Sequence, residues 1–193
     1  MFHADLRKLG IHKMPEFDIV GWGSFFEKHF GLTVSLSNLH IPTRPDYPCR
    51  AIVVVPGLAN NRVFDACTKA FRTWRYTDDL DTIRDVVERP DGPYVVWGRD
   101  TIEADPEMVN KSARDIKTAG TNTLTLKERM VLELSHFDET KNHLDISNVT
   151  LCAGSRSSDG SVPVAYRSGG AFRVFWSKVD DCYPRLRARL AVS

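Results

Sequence analysis

Residues 122–176 constrain this chain most, because a strong helix signal and a strong hairpin signal follow one another within them. Thr125 followed by Glu128 has the spacing of a capping box, in which each side chain takes up a free amide at a helix start. Leu126, Met130, Leu134 and Phe137 then recur at helical spacing, with Val131 at the edge of the same face, while Lys127, Glu128, Glu133 and Asp138 fall outside it. The spacing predicts a helix that ends near Phe137, then a joint at Thr140, Lys141 and Asn142. Further on, Val162, Val164 and Tyr166 alternate with Ala165 and Arg167, and Phe172, Val174 and Trp176 alternate with Arg173 and Phe175. With Ser168, Gly169 and Gly170 between the two runs, the period of two predicts a hairpin of residues 162–167 with 171–176.

The rest of the chain supplies partners for these two elements. Three consecutive valines in residues 51–55 predict a buried strand, and a glycine turn leads from it to a helix over 62–75, with Val63, Cys67, Ala70, Phe71 and Trp74 on one stripe. Alternation at Leu32, Val34 and Leu36 predicts another strand, as do residues 93–97 and 148–152. Short helices are expected at 2–11 and at 24–29, the latter capped by Ser24 and stopped by Gly31. Asp78, Asp79 and Asp81 suit the start of a further short helix that buries Ile83, Val86 and Val87. Residues 106–118 read as a polar, partly helical surface excursion with a narrow apolar face of Met108, Ala113 and Ile116, a lid or partner-binding element. Together these pieces predict an α+β fold: a mixed, mainly antiparallel sheet from segments near 32, 51, 94, 148, 162, 171 and 186, with helices near 62 and 125 on one face. A length of 193 residues suits a single globular domain, with a subdivision near residue 120 as the alternative.

Composition narrows the function classes. Apolar residues at 42% and charged residues at 26% exclude wholesale disorder and a coiled-coil rod. The longest apolar run, 51–56, is far too short to cross a bilayer, and Asp5, His12, Glu16 and Asp18 interrupt any secretion signal, so no membrane and a cytoplasmic location are expected. Cys49, Cys67, Cys152 and Cys182 form no CxxC pair, which argues against a zinc knuckle or a dithiol centre. His136, Asp138, His143 and Asp145 are dense in ligand atoms but spread across a helix end, so no metal is expected. The turn after residue 55 lacks both glycine patterns of nucleotide sites, and no cofactor is expected.

A formal charge of +1 gives no bulk attraction to polyanions, so only local patches can supply it. The leading expectation is a non-catalytic binding protein for an anionic partner, nucleic acid or an acidic protein. Its contacts would be Arg156, Ser157 and Asp159 in the 154–160 loop, Arg167, Arg173 and Phe175 on one face of the hairpin, and Arg185, Arg187 and Arg189 on the basic outer face of a terminal edge strand. A second reading is a small hydrolase or transferase whose site collects His143, oriented by Asp145, Cys152 as the nucleophile, and Arg156, with Asp159 as a further member. A protein-interaction or assembly module is the third.

Overall fold

The computed structural model describes residues 17–193, so the short helix expected over 2–11 lies outside the described residues. Helix α4 (Leu126–Thr140) forms where the capping box places it: Glu128 N donates to Thr125 Oγ1 (3.2 Å) and the Glu128 carboxylate accepts from Thr125 N (2.8 Å). It runs one turn past Phe137 and ends at Lys141, which adopts a left-handed conformation. The helix is enclosed on more sides than its apolar stripe suggests. Glu128 and Glu133 are fully buried together with Arg129, where the sequence pattern placed the two glutamates outside.

A five-stranded sheet lies against α4. Its order is β2 (Thr73–Arg75), β8 (Ala171–Ser177), β7 (Val162–Ser168), β5 (Val149–Leu151) and β9 (Leu186–Arg187), with parallel pairing at β2/β8 and β5/β9 and antiparallel pairing between. The β7/β8 hairpin closes through Gly169 and Gly170, both at positive φ, as a two-residue turn requires. Helix α2 (Asn60–Ala70) and α4 cover one face, where Cys67, Met130 and Leu134 meet Ala165, Phe172 and Val174 in the main core. The fold is thus α+β, with a mixed sheet and helices against its face.

Strands β1 (Cys49–Val54) and β4 (Tyr94–Arg99) do not join that sheet. They form their own antiparallel ladder and pack with α1 (Ile19–Phe30) into the same core. Helix α1 starts earlier than its expected cap at Ser24, at Asp18, and stops at Gly31 as anticipated. Leu32, Val34 and Leu36 turn toward the core without strand pairing, so the expected strand there does not form. Helix α2 ends at Ala70, so Trp74 belongs to β2 and not to a helical stripe. Only a single 3-10 turn, Leu80–Thr82, forms after the acidic segment; β3 (Arg84–Asp85) follows and pairs with β6 (Ser155–Arg156).

The polar excursion is folded down and does not stand off as a lid. Pro106–Met108 forms a 3-10 turn and α3 (Ala113–Thr118) a short capped helix. Met108, Ala113 and Ile116 pack on Val149, Leu151, Val162, Val164 and Leu186, making a second core on the far side of the sheet. That cover reaches β5, β7 and β9 but leaves the β2/β8 edge open.

Candidate functional site

The covered face of the sheet holds a buried ionic network. Arg129 from α4 places Nε 3.0 Å from Asp145 Oδ2, Nη2 2.8 Å from the same oxygen, and Nη1 2.8 Å from Glu133 Oε2. Arg189 donates through Nη2 to Asp145 Oδ1 (2.8 Å) and to Ile102 O (2.8 Å), and through Nη1 to Thr101 O (3.1 Å). Thr150 donates its hydroxyl to Asp145. At the rim, His143 Nδ1 lies 2.8 Å from Glu133 Oε1, and Phe137 stacks on the imidazole. Burial raises the pKa values of Asp145 and Glu133, but the arginines and hydrogen bonds around them outweigh it, so both carboxyls stay below their ordinary range.

This arrangement separates the residues of the hydrolase reading. Asp145 has φ 51°, which breaks the alternation of an extended segment, so it faces the two arginines while His143 turns to Glu133. Cys152 is fully buried, and burial pushes its thiol up to about 12, the opposite of an activated nucleophile. Arg156 sits away from them on β6, with Nη1 donating to Ala153 O and Ser155 O. Among the described residues no group of three His, Cys, Asp or Glu side chains could hold a metal ion. Asp138, one of the candidate ligands, accepts instead from Lys28 and His29; burial opposes ionisation, and those partners overcome it to hold the carboxyl at about 2.

The arginines of the binding reading do not form one surface. Arg189, two residues past β9, is 1% exposed because it turns beneath α4, and it serves the Asp145 network instead of an outer basic face. Arg185 and Arg187 donate to nearby carbonyls, Ser147 O and Pro184 O. In the hairpin Arg167 stands opposite Phe172 and Arg173 opposite Tyr166, so the two arginines occupy opposite faces. Ser157 and Asp159 close their own turn: Ser157 N donates to Ser161 O and Ser161 N to Asp159 Oδ1, each at 2.9 Å.

What the fold does assemble is an aromatic strip on the open part of the second face. Parallel pairing sets Trp74 beside Arg173, whose guanidinium lies 5.4 Å from the indole centroid. Phe175 is 5.9 Å from Trp74, 5.9 Å from Tyr76 and 5.6 Å from Trp176, the last pair stacked at 18°. Tyr166 lies across from Arg173 on the same face, and Tyr183 and Arg185 are close enough to influence each other electrostatically. Trp74, Phe175, Trp176 and Tyr183 are 41%, 36%, 40% and 43% exposed. Phe175 and Arg173 were visible as candidates in the sequence; Trp74 and Tyr76 were not, since only the long-range β2/β8 pairing brings them there. No protein-family model, curated protein or solved structure matches this chain.

Proposed function

We propose that this protein is a non-catalytic binding protein that holds a single-stranded nucleic acid on the open β2/β8 face. The observation that carries this reading is the pair of exposed rings Trp74 and Phe175 on this face, with Arg173 stacked on the first and Trp176, from the alternate position of β8, stacked on the second. Large aromatic surface left in water on a well-packed sheet suits flat, desolvated ligands, and every base offers such a face. Arg173 supplies a cation beside the rings, with Lys178 and Arg185 exposed on the following segment. Stacking would give most of the affinity and phosphate contacts the rest, without base reading by a helix. A near-neutral chain with few such cations would show a shallow salt dependence.

Titrating single-stranded DNA and RNA oligonucleotides against tryptophan fluorescence tests the reading. Quenching should saturate and weaken with added salt, and Trp74→Ala or Phe175→Ala should each reduce affinity by about 1–3 kcal/mol. Unchanged fluorescence, or equal binding by both variants and the parent chain, refutes it. Self-association that the same two variants abolish would favour the assembly role instead.

A further inference from the structure

We propose a second binding site, for a small carboxylate with a short apolar chain, in the cavity between α3, residues 86–87 and β6. The cavity measures about 120 Å³ and is lined by Val86, Val87, Ile116, Lys117, Thr121, Ala153 and Arg156. Its wall is therefore mostly apolar, with two cations and no carboxylate. At one side it continues into a groove of about 670 Å³ that shares Val86, Val87, Lys117 and Thr121 and carries Glu88 further out.

The cations in this cavity lack the counter-charge that Arg89 nearby possesses. Arg89 is bidentate to Glu128, and Asp85 is taken up by the Ser155 hydroxyl at 2.8 Å. Arg156 spends Nη1 on two carbonyls, Ala153 O at 2.9 Å and Ser155 O at 2.7 Å. Its Nε and Nη2, and the Lys117 ammonium, make no hydrogen bond or ion pair among the described residues. Burial alone acts on the Arg156 guanidinium, lowering its pKa from the ordinary value. Arg84 stands directly across the β3/β6 ladder from Arg156 but is exposed, and supplies no counter-charge. A half-buried guanidinium bonded only to carbonyls is costly unless an anion joins it.

The geometry of the free donors selects the class of anion. Nε and Nη2 form one edge of the guanidinium fork, and that edge matches the two oxygens of a carboxylate. With both carbonyl contacts holding Nη1, the fork is already oriented. Val86, Val87, Ile116 and Ala153 would then receive the chain attached to the carboxylate. At roughly 30 Å³ per water, the cavity has space for a head group and a few carbons, with the groove open to anything longer. A bare phosphate would find the cations but leave the apolar wall unused.

Hexanoate, hexanamide and inorganic phosphate are the probes, followed by ligand-observed NMR and calorimetry on the whole chain. Hexanoate should bind, with hexanamide and phosphate each weaker by roughly tenfold or more, because one loses the charge and the other the chain. Lys117→Gln and Arg156→Gln should each weaken hexanoate by a similar factor. Since Arg156 also ties down two carbonyls, Val86→Asp provides a variant at an exposed position, where an added carboxylate should repel the ligand. Absence of hexanoate binding at millimolar concentration overturns the proposal. So does hexanamide binding as tightly as hexanoate, phosphate matching it, or affinity unchanged in Lys117→Gln and Val86→Asp. The cavity shares no lining residue with the aromatic strip, so Trp74→Ala should leave hexanoate binding intact and the two sites can fail separately.

Discussion

The two faces of the five-stranded sheet arise from the same alternating strands and carry opposite chemistry. Beneath α4 and α2, Arg129, Glu133, Asp145, Arg189 and Thr150 form a buried network with almost no water contact. On the far face, beyond the reach of α3, Trp74 and Phe175 stand in water with Arg173 lying on one of them. Charge has gone inside and aromatic surface outside. The charges of this network can be there because each has a partner, and through Arg129 and Asp145 they tie α4 to the chain that follows it. Among the described residues no element covers the outward rings.

Breaking the network should give the largest effect. Asp145→Asn leaves both Arg129 and Arg189 short of a counter-charge and should cost about 3–5 kcal/mol in denaturant unfolding. Phe172 and Phe175 offer a direct contrast, three residues apart on opposite faces of β8. Phe172→Ala should cost about 3–5 kcal/mol, as for a fully buried ring, and Phe175→Ala should cost under about 1 kcal/mol. Equal losses at the two positions would break the distinction between the faces.

Acid should weaken both the buried network and the Asp138 ion pairs between α4 and α1. Asp145, Glu133 and Asp138 all have folded pKa values below the ordinary ones, so their contribution is complete above the unfolded values near 4 and disappears as pH falls through the folded ones, about 2 for Asp138. Denaturant midpoints measured down this range should drop, and drop less steeply in Asp145→Asn. Smaller again, Thr125→Ala removes one half of the capping box and should cost about 1 kcal/mol. Smallest in stability is Trp74→Ala, which should stay within about 1 kcal/mol while removing much of the oligonucleotide affinity.

Several of these features could be read before the fold was known, and the reasons others could not are specific. The capping box of α4 and the β7/β8 hairpin depend on residues a few positions apart, so local chemistry sufficed. The same Glu128 also receives Arg89 and the Tyr94 hydroxyl, partners from distant segments that no helical spacing announces. Arg167 and Arg173 look equivalent as alternating polar positions. The two-residue turn nevertheless pairs Arg167 with Phe172 and Arg173 with Tyr166, and a shift of one residue in such a ladder exchanges the faces. His143 and Asp145 share a side only while the chain is extended, and the positive φ at Asp145 ends that condition.

The cavity beside Arg156 shows the same division of labour. The 154–160 loop was recognisable as a candidate for anions, yet its serine and aspartate close the turn on themselves, and the lysine and apolar wall come from α3 and residues 86–87.

By itself the sequence determined the elements whose stabilising contacts are local: a capped α4, a glycine-closed hairpin, and enough apolar alternation for an α+β fold. Tertiary structure decided which side of each strand was covered, and therefore which arginines became network members and which aromatics remained outside. The physical reason is that burial depends on what packs against a residue, and here the deciding contacts, β2 on β8, α3 on the far face and Arg189 on Asp145, join segments that lie far apart in the chain.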